Sequence, residues 1–213
     1  MSIRFTSGPV RIAYEVTGSS EQTLAVMPAL ISHLSFDRLQ PEIWDYYCRL
    51  NAGRRLLRYD KRGTGMSDRP SGADTYRLET HVNDLTAVLD AAGVKRPILM
   101  GWSESGLVAV AFAAQHPERV AGLVLYGTSA RTCWAPDYPI GAPEERIEAL
   151  ATLVRTDWGL GSRVLASVAV PEMDDDRLRW FTEYQRAVTS PAAAAEFLAT
   201  VGRFDVRGLL PAV

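Results

Sequence analysis

Large apolar residues recur with two different periods in the first half of the chain, and each period predicts its own kind of element. From Val10 to Thr17 every second residue is large and apolar, which predicts a strand with one buried face. Thr23 to Met27 is a nearly continuous apolar run, typical of a strand that is buried on both faces. Between Pro41 and Leu50, and again between Thr80 and Ala92, apolar residues recur every three or four positions, which predicts two helices.

In chain order, the pattern predicts six strands. From the third strand onward, a helix separates each strand from the next. The strands cover residues 3–6, 10–17, 23–27, 55–59, 97–100 and 120–126, and the helices cover 41–50, 80–92 and 107–114. This alternation predicts an α/β fold with a mostly parallel, doubly wound sheet, because parallel strands need crossover connections that place helices on both faces. Ligands bind beyond the carboxyl ends of such strands, so residues 28–36, 60–68 and 101–106 are expected to converge there.

Beyond Gly127 the pattern changes to helices alone. After an aromatic, proline-rich loop from Trp134 to Pro139, helices are predicted over 143–154, over 174–188, and from the capping residue Ser190 to Gly202. We expect these helices to form a lid over the carboxyl edge of the sheet. The expected organisation is an α/β core over residues 1–130, a helical cap over 131–204, and the start of a further core segment over 205–213.

The clearest candidate for chemistry is the stretch 101–106, with the sequence GWSESG, which lies between the fifth strand and the helix behind it. A strand that turns sharply into a helix, with a serine at the apex, is a nucleophile elbow. The tight turn requires small residues two before and two or three after the nucleophile. Ser103 meets this requirement, whereas Ser105 at the apex would put Leu107 where a small residue is needed. Ser103 is therefore the predicted nucleophile.

Two further motifs resemble the α/β-hydrolase superfamily, and the resemblance covers essentially the whole chain. Residues 60–67, DKRGTGMS, resemble the D-x-R-G-x-G-x-S loop after the fourth strand of that family, in which Asp60 and Arg62 are expected to brace the loop itself. Residues 116–125, HPERVAGLVL, resemble the usual lead into its sixth strand. The resemblance implies an α/β-hydrolase-type fold with a helical cap after the sixth strand.

A narrower resemblance involves residues 10–18, 60–68 and 134–141. These stretches are similar to hydrolase-like domains of actinobacterial proteins, which stand alone or precede an adenylate/guanylate cyclase domain or a helix-turn-helix regulatory domain. This resemblance keeps a regulatory role open beside an enzymatic one.

The family resemblance implies a serine hydrolase that acts on a small ester- or amide-type acyl compound. Ser103 would attack the acyl carbonyl, and the backbone N–H groups of Glu104 and Leu30 would form the oxyanion hole. Pro28-Ala29 stands where the family commonly has His-Gly. The candidate lining of the substrate pocket comprises Ala29, His33, Trp102, Trp134 and Tyr138. The aromatic members of this set fit an ordinary core equally well, and the Glu104 side chain fits a solvated charge at a helix N-terminus as well as a substrate contact.

The family's acid and histidine follow its seventh and eighth strands, and the resemblance places residues 205–213 at the approach to the seventh. We therefore expect a C-terminally truncated chain that lacks the last two strands, the triad acid and the triad histidine, and that is inactive or impaired. His116 is expected at the far end of the elbow helix, roughly 15 Å from the apex. His81 is expected on a surface helix, and His33 in the loop after the third strand, bonded to backbone or lining the pocket.

The composition of the chain narrows the classes of molecule that it is expected to bind. The chain has 213 residues, a net charge of −2 and a hydrophobic fraction of 47%. This balance gives no general attraction for nucleic acid or an anionic membrane surface, and no apolar run approaches the ~18 residues of a membrane-spanning helix. Without a signal core or metal-ligand spacing, we expect a cytoplasmic protein with a small-molecule acyl substrate or ligand and with no metal or cofactor.

Three interpretations remain open at this point. The first is a serine hydrolase that uses Ser103, and the second is a non-catalytic, ligand-sensing domain that retains the pocket. The third is a truncated gene product, in which the sixth strand leaves an exposed apolar edge that favours self-association.

Overall fold

A six-stranded sheet forms the centre of the first part of the chain in the computed structural model, which describes residues 2–72 and 74–213. The chain divides into two units: the residues up to Arg131 together with Asp205–Val213, and Thr132–Phe204. The strands of the sheet are β1 Arg4–Phe5, β2 Ala13–Thr17, β3 Thr23–Val26, β4 Arg55–Tyr59, β5 Ile98–Trp102 and β6 Gly122–Tyr126. Their order across the sheet is β1-β2-β4-β3-β5-β6.

The strands β4, β3, β5 and β6 run parallel to one another, whereas β2 pairs antiparallel with both β4 and β1. Three helices connect the parallel strands: α1 Pro41–Asn51, α2 Leu78–Ala91 and α3 Ser105–Gln115. Short 3₁₀ helices cover Phe36–Leu39, Pro117–Arg119 and Arg207–Ala212, and the last of these packs against α3. The mostly parallel α/β architecture predicted from the sequence is confirmed.

Both faces of the central strands are buried, as their continuous apolar runs predict. Leu24, Val26 and Leu56 point to one face, where Tyr47 and Leu50 of α1 pack against them. The alternate residues of β3, β4 and β5 point to the other face. Among them, Ala25, Leu57 and Leu99 have no exposed surface. On that side α3 packs against β5 and α2 packs against α3. The ends of β3, β4 and β5 are thereby fixed relative to one another.

Strand β2 differs from its prediction, because its polar side is buried too. Glu15 stands opposite Arg58 of β4, and the two side chains form an ion pair. Arg58 also pairs with Asp37, 3.0 Å away, and Arg38 pairs with Glu15. The ring of Tyr47 lies 3.8 Å from the Arg58 guanidinium and covers it. The buried charges of Glu15, Asp37 and Arg58 and the partly exposed charge of Arg38 therefore compensate one another, which is the condition for burying charge.

The second unit contains four helices where the sequence predicts three. They are α4 Glu144–Thr156, α5 Trp158–Ala169, α6 Asp175–Val188 and α7 Pro191–Val201. The side chains of Asp157, Asp174 and Ser190 cap three of them by accepting a bond from a backbone N–H in the first turn. Helix α5 is the one not predicted.

The edge strand β6 exposes apolar side chains. Val124, Leu125 and Tyr126 retain 44%, 43% and 68% of their accessible surface, and β6 has a neighbour on one side only among the described strands. Across the described ranges, every helix is too short or too polar to cross a lipid bilayer.

Candidate active site

Ser103 occupies a strained turn between β5 and α3. Its φ is +50°, and it is the one non-glycine residue with positive φ in the described part of the chain. A non-glycine residue in this region costs about 1–3 kcal/mol, so the surrounding structure must hold it there. The backbone N–H of Ser103 donates to the carbonyl of Tyr126 at 2.9 Å, and its carbonyl accepts from the N–H of Gly106 at 3.1 Å. The Ser103 side chain is exposed at the apex.

The residues around the apex are small for a steric reason. A Cβ at position 101 would lie 2.6 Å from the Cα of Gly106, and a Cβ at Gly106 would overlap Thr128. The two glycines therefore allow the strand end and the first helical turn to touch. This close approach is what the spacing of small residues predicts.

Ser105 has a structural part in the same turn. Its side chain is buried, and its Oγ accepts a bond from the Trp102 N–H at 2.8 Å and lies 2.9 Å from the Trp102 carbonyl. The hydroxyl at 105 thus closes the turn from inside, while the one at 103 faces outward. This difference favours Ser103 over Ser105 as the nucleophile.

Hydrogen bonds join the loop after β3 to the loop after β4. The Asp60 carboxylate accepts from the N–H of Leu34 and the N–H of Met66, each at 3.0 Å. Burial raises the pKa of Asp60 to about 6, although these donors stabilise its charged form. Arg62 pairs with Asp84 of α2 at 2.5 Å. Asp60 and Arg62 therefore both brace the loop after β4, as predicted.

The loop after β4 also contacts the elbow. Lys61 Nζ donates to Glu104 Oε1 at 2.7 Å, and the side chains are only 6% and 9% exposed. Burial lowers the pKa of Lys61, and the charge of Glu104 opposes that shift. Glu104 is thus neither a solvated surface charge nor open to substrate through its carboxylate. The ends of β3, β4 and β5 converge, as the fold predicts.

The expected oxyanion donors lie on these converging segments. Glu104 precedes the first residue of α3, where helical N–H groups have no partner within the helix. Leu30 and Ala29 are half-buried in the loop after β3. Their assignment to the oxyanion hole and the pocket stays a prediction.

The three aromatic residues predicted to line a pocket fall into different units. Trp102 belongs to the first unit, half-buried, with the Tyr46 ring centroid 5.3 Å and the Tyr126 ring centroid 5.8 Å from its own. Trp134 and Tyr138 belong to the second unit, in a loop where the Trp134 N–H donates to the carbonyl of Ala142 at 2.8 Å. Their contribution to a common pocket stays a prediction.

Each of the three histidines has surroundings of its own. His33 Nδ1 accepts from the N–H of Phe36 at 3.2 Å, and burial lowers the pKa of this imidazole. His116 ends α3, with its ring centroid 5.0 Å from that of Phe112. His81 lies on a helix with exposed residues, as expected, but its own side chain is buried, with 6% exposed. It points inward from the first turns of α2, and burial together with the charges of Lys61 and Arg62 holds its pKa well below 6.5.

Within residues 2–72 and 74–213, no cluster of three or more His, Cys, Asp or Glu side chains is arranged to hold a metal ion. The candidate site consists of a serine elbow, two converging loops and a buried Lys61–Glu104 pair. Such a strand–serine–helix turn on a sheet of this order defines an α/β-hydrolase-type protein.

Comparison with known proteins agrees with this class. Residues 24–158 match the alpha/beta hydrolase fold family, and the chain belongs to that family. A 2-hydroxy-6-oxononadienedioate/2-hydroxy-6-oxononatrienedioate hydrolase from Paraburkholderia phymatum is 33% identical over 150 residues, which are 68% of this chain and 49% of that protein. A pimeloyl-[acyl-carrier protein] methyl ester esterase from Neisseria meningitidis is 32% identical over 133 residues, covering 60% and 52%. The chain spans about half the length of these curated relatives.

Solved structures share the fold at lower identity. An esterase from Exiguobacterium antarcticum superimposes with a TM-score of 0.83 at 22% identity, covering 98% of this chain and 76% of that one. The enol-lactonase from Burkholderia xenovorans superimposes with a TM-score of 0.73 at 23% identity, covering 99% and 77%. At this level of identity the likeness concerns the fold.

Proposed function

We propose that this chain is a serine-hydrolase-type domain that transfers the acyl group of a small ester or amide to Ser103. The observation that carries the proposal is the left-handed backbone of Ser103, with φ +50° and an exposed side chain. Strain of this kind persists at functional sites, where it holds a reacting group in place. The similar methyl ester esterase supports an ester substrate.

The proposed reaction begins when Ser103 Oγ attacks the substrate carbonyl and loses its proton to a base. The oxyanion that forms accepts hydrogen bonds from the N–H groups of Glu104 and Leu30, each worth on the order of 3 kcal/mol in the transition state. The leaving group departs with a proton, and water then releases the acid from the acyl-serine. The attack is slow without a positioned base, because a serine hydroxyl is a poor nucleophile at neutral pH.

The contacts of the histidines support a slow reaction in this 213-residue chain. The Nδ1 atom of His33 already accepts a backbone N–H, and His116 lies at the opposite end of α3 from the elbow. His81 is buried in α2. We infer that the chain has the nucleophile and the oxyanion donors but reacts at an impaired rate.

Covalent labelling tests the proposal. The purified chain is incubated with a fluorophosphonate probe, and the modified residue is located by peptide mass spectrometry. We expect slow labelling at Ser103 that disappears in Ser103→Ala and persists in Ser105→Ala at a temperature where both variants are folded. Labelling at Ser105, or none at Ser103 after long incubation, contradicts the proposal.

A second candidate function is a non-catalytic, ligand-sensing domain, which matches the narrower resemblance to regulatory proteins. The engagement of His33 and the burial of His81 favour it, because the loops around the elbow are retained without an obvious base. A small acyl ligand should then raise the melting temperature of the chain without being consumed. Turnover of that ligand would decide for the hydrolase.

We also propose that the edge of β6 pairs with a second copy of the chain. The support is the exposed surface of Val124, Leu125 and Tyr126 on a strand with one free side in the described sheet. Edge strands with apolar side chains are templates for pairing. Light scattering after gel filtration should give a dimer that Leu125→Lys converts to a monomer, and a monomeric wild-type chain contradicts this.

A further inference from the structure

Lys61 contacts both segments that carry the proposed oxyanion donors. Through its side chain it contacts the elbow: Nζ donates to Glu104 Oε1 at 2.7 Å, with both side chains more than nine-tenths buried. Such a bond is stronger than one in water, because the interior screens charge weakly. Residue 104 directly follows the proposed nucleophile, so the ion pair restrains the residue whose N–H is the first proposed oxyanion donor.

Through its backbone Lys61 contacts the loop after β3. Its N–H donates to the hydroxyl of Ser32 at 3.3 Å, and its carbonyl accepts from the hydroxyl of Thr64 at 2.9 Å. The hydroxyls of Ser32 and Thr64 are themselves 3.2 Å apart. Ser32 lies two positions from Leu30, the second proposed donor. Lys61 therefore contacts both donor-bearing segments, one through its side chain and the other through its backbone.

We propose that Lys61 is a positioning residue that sets the separation of the Glu104 and Leu30 N–H groups in the oxyanion hole. The inference rests on the proposed function, since it concerns the same hole. Oxyanion donors act over a narrow range, about 2.7–3.1 Å from the developing charge. A small displacement of either segment therefore weakens the hole without removing either N–H group.

The neighbouring ion pair supplies a matched control. Arg62 and Asp84 form a pair of similar burial, with side chains 11% and 10% exposed, on the same loop. This pair joins the loop to α2 and touches neither residue 104 nor the loop after β3 in the bonds described for it. Breaking either pair leaves a buried charge and lowers stability. Loss of positioning is expected only from the Lys61 pair.

The first readout is the second-order rate of fluorophosphonate labelling at Ser103, measured below the melting temperature of every variant. We expect Lys61→Met and Glu104→Gln each to slow labelling by about tenfold to a hundredfold. The double variant should be no slower than the slower single variant, because the two residues act as one unit. Arg62→Met should stay within about threefold of the wild type despite a lower melting temperature. Equal slowing by Lys61→Met and Arg62→Met overturns the proposal.

The second readout is amide hydrogen exchange, which does not depend on reactivity. Lys61→Met keeps the backbone bonds of residue 61 but removes its anchor on Glu104. Exchange should therefore speed in 101–107 and, because the backbone at 61 is then free to shift against Ser32, also in 28–36, whereas Arg62→Met should affect α2 and leave these two segments close to wild type. If only one of the two segments responds to Lys61→Met, the inference fails. If both respond while wild-type Ser103 is never labelled, Lys61 couples the segments as inferred and the proposed function fails by itself.

Discussion

The backbone N–H of Ser103 donates to the carbonyl of Tyr126 at 2.9 Å. The last residue of the edge strand β6 therefore holds the apex of the elbow from one side, while Gly101 and Gly106 allow the close approach on the other. The strained φ of Ser103 is the combined result of these contacts. This arrangement predicts how substitutions in the turn change the stability of the chain.

Gly101→Ala is expected to destabilise the chain by about 1–3 kcal/mol, because the new methyl group would lie 2.6 Å from the Gly106 Cα and force the turn apart. Labelling of Ser103 should fall in the same variant. Urea unfolding at neutral pH gives the free energy. Gly122→Ala is the control, since its Cβ would meet nothing within 4 Å; similar losses in the two variants would contradict the steric account.

Ser103→Gly is expected to stabilise the chain relative to Ser103→Ala by about 0.5–1 kcal/mol. Glycine adopts positive φ without the ~1–2 kcal/mol cost of a side chain, and its greater freedom in the unfolded chain offsets part of this gain. Thermal unfolding of the two variants in parallel measures the difference. A less stable glycine variant would show that the turn is not strained at Ser103.

His81 should make the folded chain sensitive to mild acid. Its folded pKa lies well below 6.5, so the unfolded chain binds the additional proton as the pH falls. The stabilisation that neutral His81 contributes is complete above the pKa of this histidine in the unfolded chain. Below that pKa it is lost at up to about 1.4 kcal/mol per pH unit. Urea unfolding of the wild type and of His81→Leu from pH 7 to pH 5 should differ by this slope, because the opposing contribution of Asp60 is common to both chains. If His81→Leu has the same dependence of stability on pH as the wild type, another group accounts for the titration.

Asp60 should have the opposite dependence. Burial raises its folded pKa from 3.8 to about 6, so the folded chain binds its proton more tightly than the unfolded chain does. The stabilisation is complete below the unfolded pKa and is lost as the pH rises through about 6, by about 3 kcal/mol in total. Asp60→Asn should therefore gain stability relative to the wild type between pH 4 and pH 7. A constant difference across this range would contradict the raised pKa.

Added imidazole is expected to accelerate fluorophosphonate labelling of Ser103, because it supplies the base that the proposed mechanism requires. The rate should rise with the concentration of neutral imidazole, with Ser103→Ala as the blank. Sodium chloride at equal ionic strength controls for salt. Rapid labelling that imidazole leaves unchanged would mean that the chain already positions a base.

The sheet and the elbow were predictable from the sequence because they depend on local signals. Apolar runs bounded by glycine and proline mark the strands, and small residues around Ser103 mark the turn. Helix α5 gave no such signal, since Gly159 and Gly161 lower its helical propensity. Gly161 is required by packing instead: a Cβ there would lie 2.7 Å from the Cα of Val154.

The buried ion pairs could not be predicted, because their partners are far apart in sequence. Lys61 and Glu104 are separated by 43 positions, as are Glu15 and Arg58. Glu15 looked solvent-facing from the alternation of β2, and its burial depends on standing opposite Arg58 in β4. A charged residue on a strand can be assigned to the interior only when the order of the strands is known.

The group formed by Glu15, Asp37, Arg58 and the partly exposed Arg38 is electrically neutral only as a set. Replacing one member leaves an uncompensated charge in a medium of low polarity. Replacing an acid and a base together keeps the group neutral. Evolution should therefore alter these four positions in concert. Related sequences that have exchanged the acid at 15 for an uncharged residue are expected to have lost a positive side chain at 38 or 58 as well.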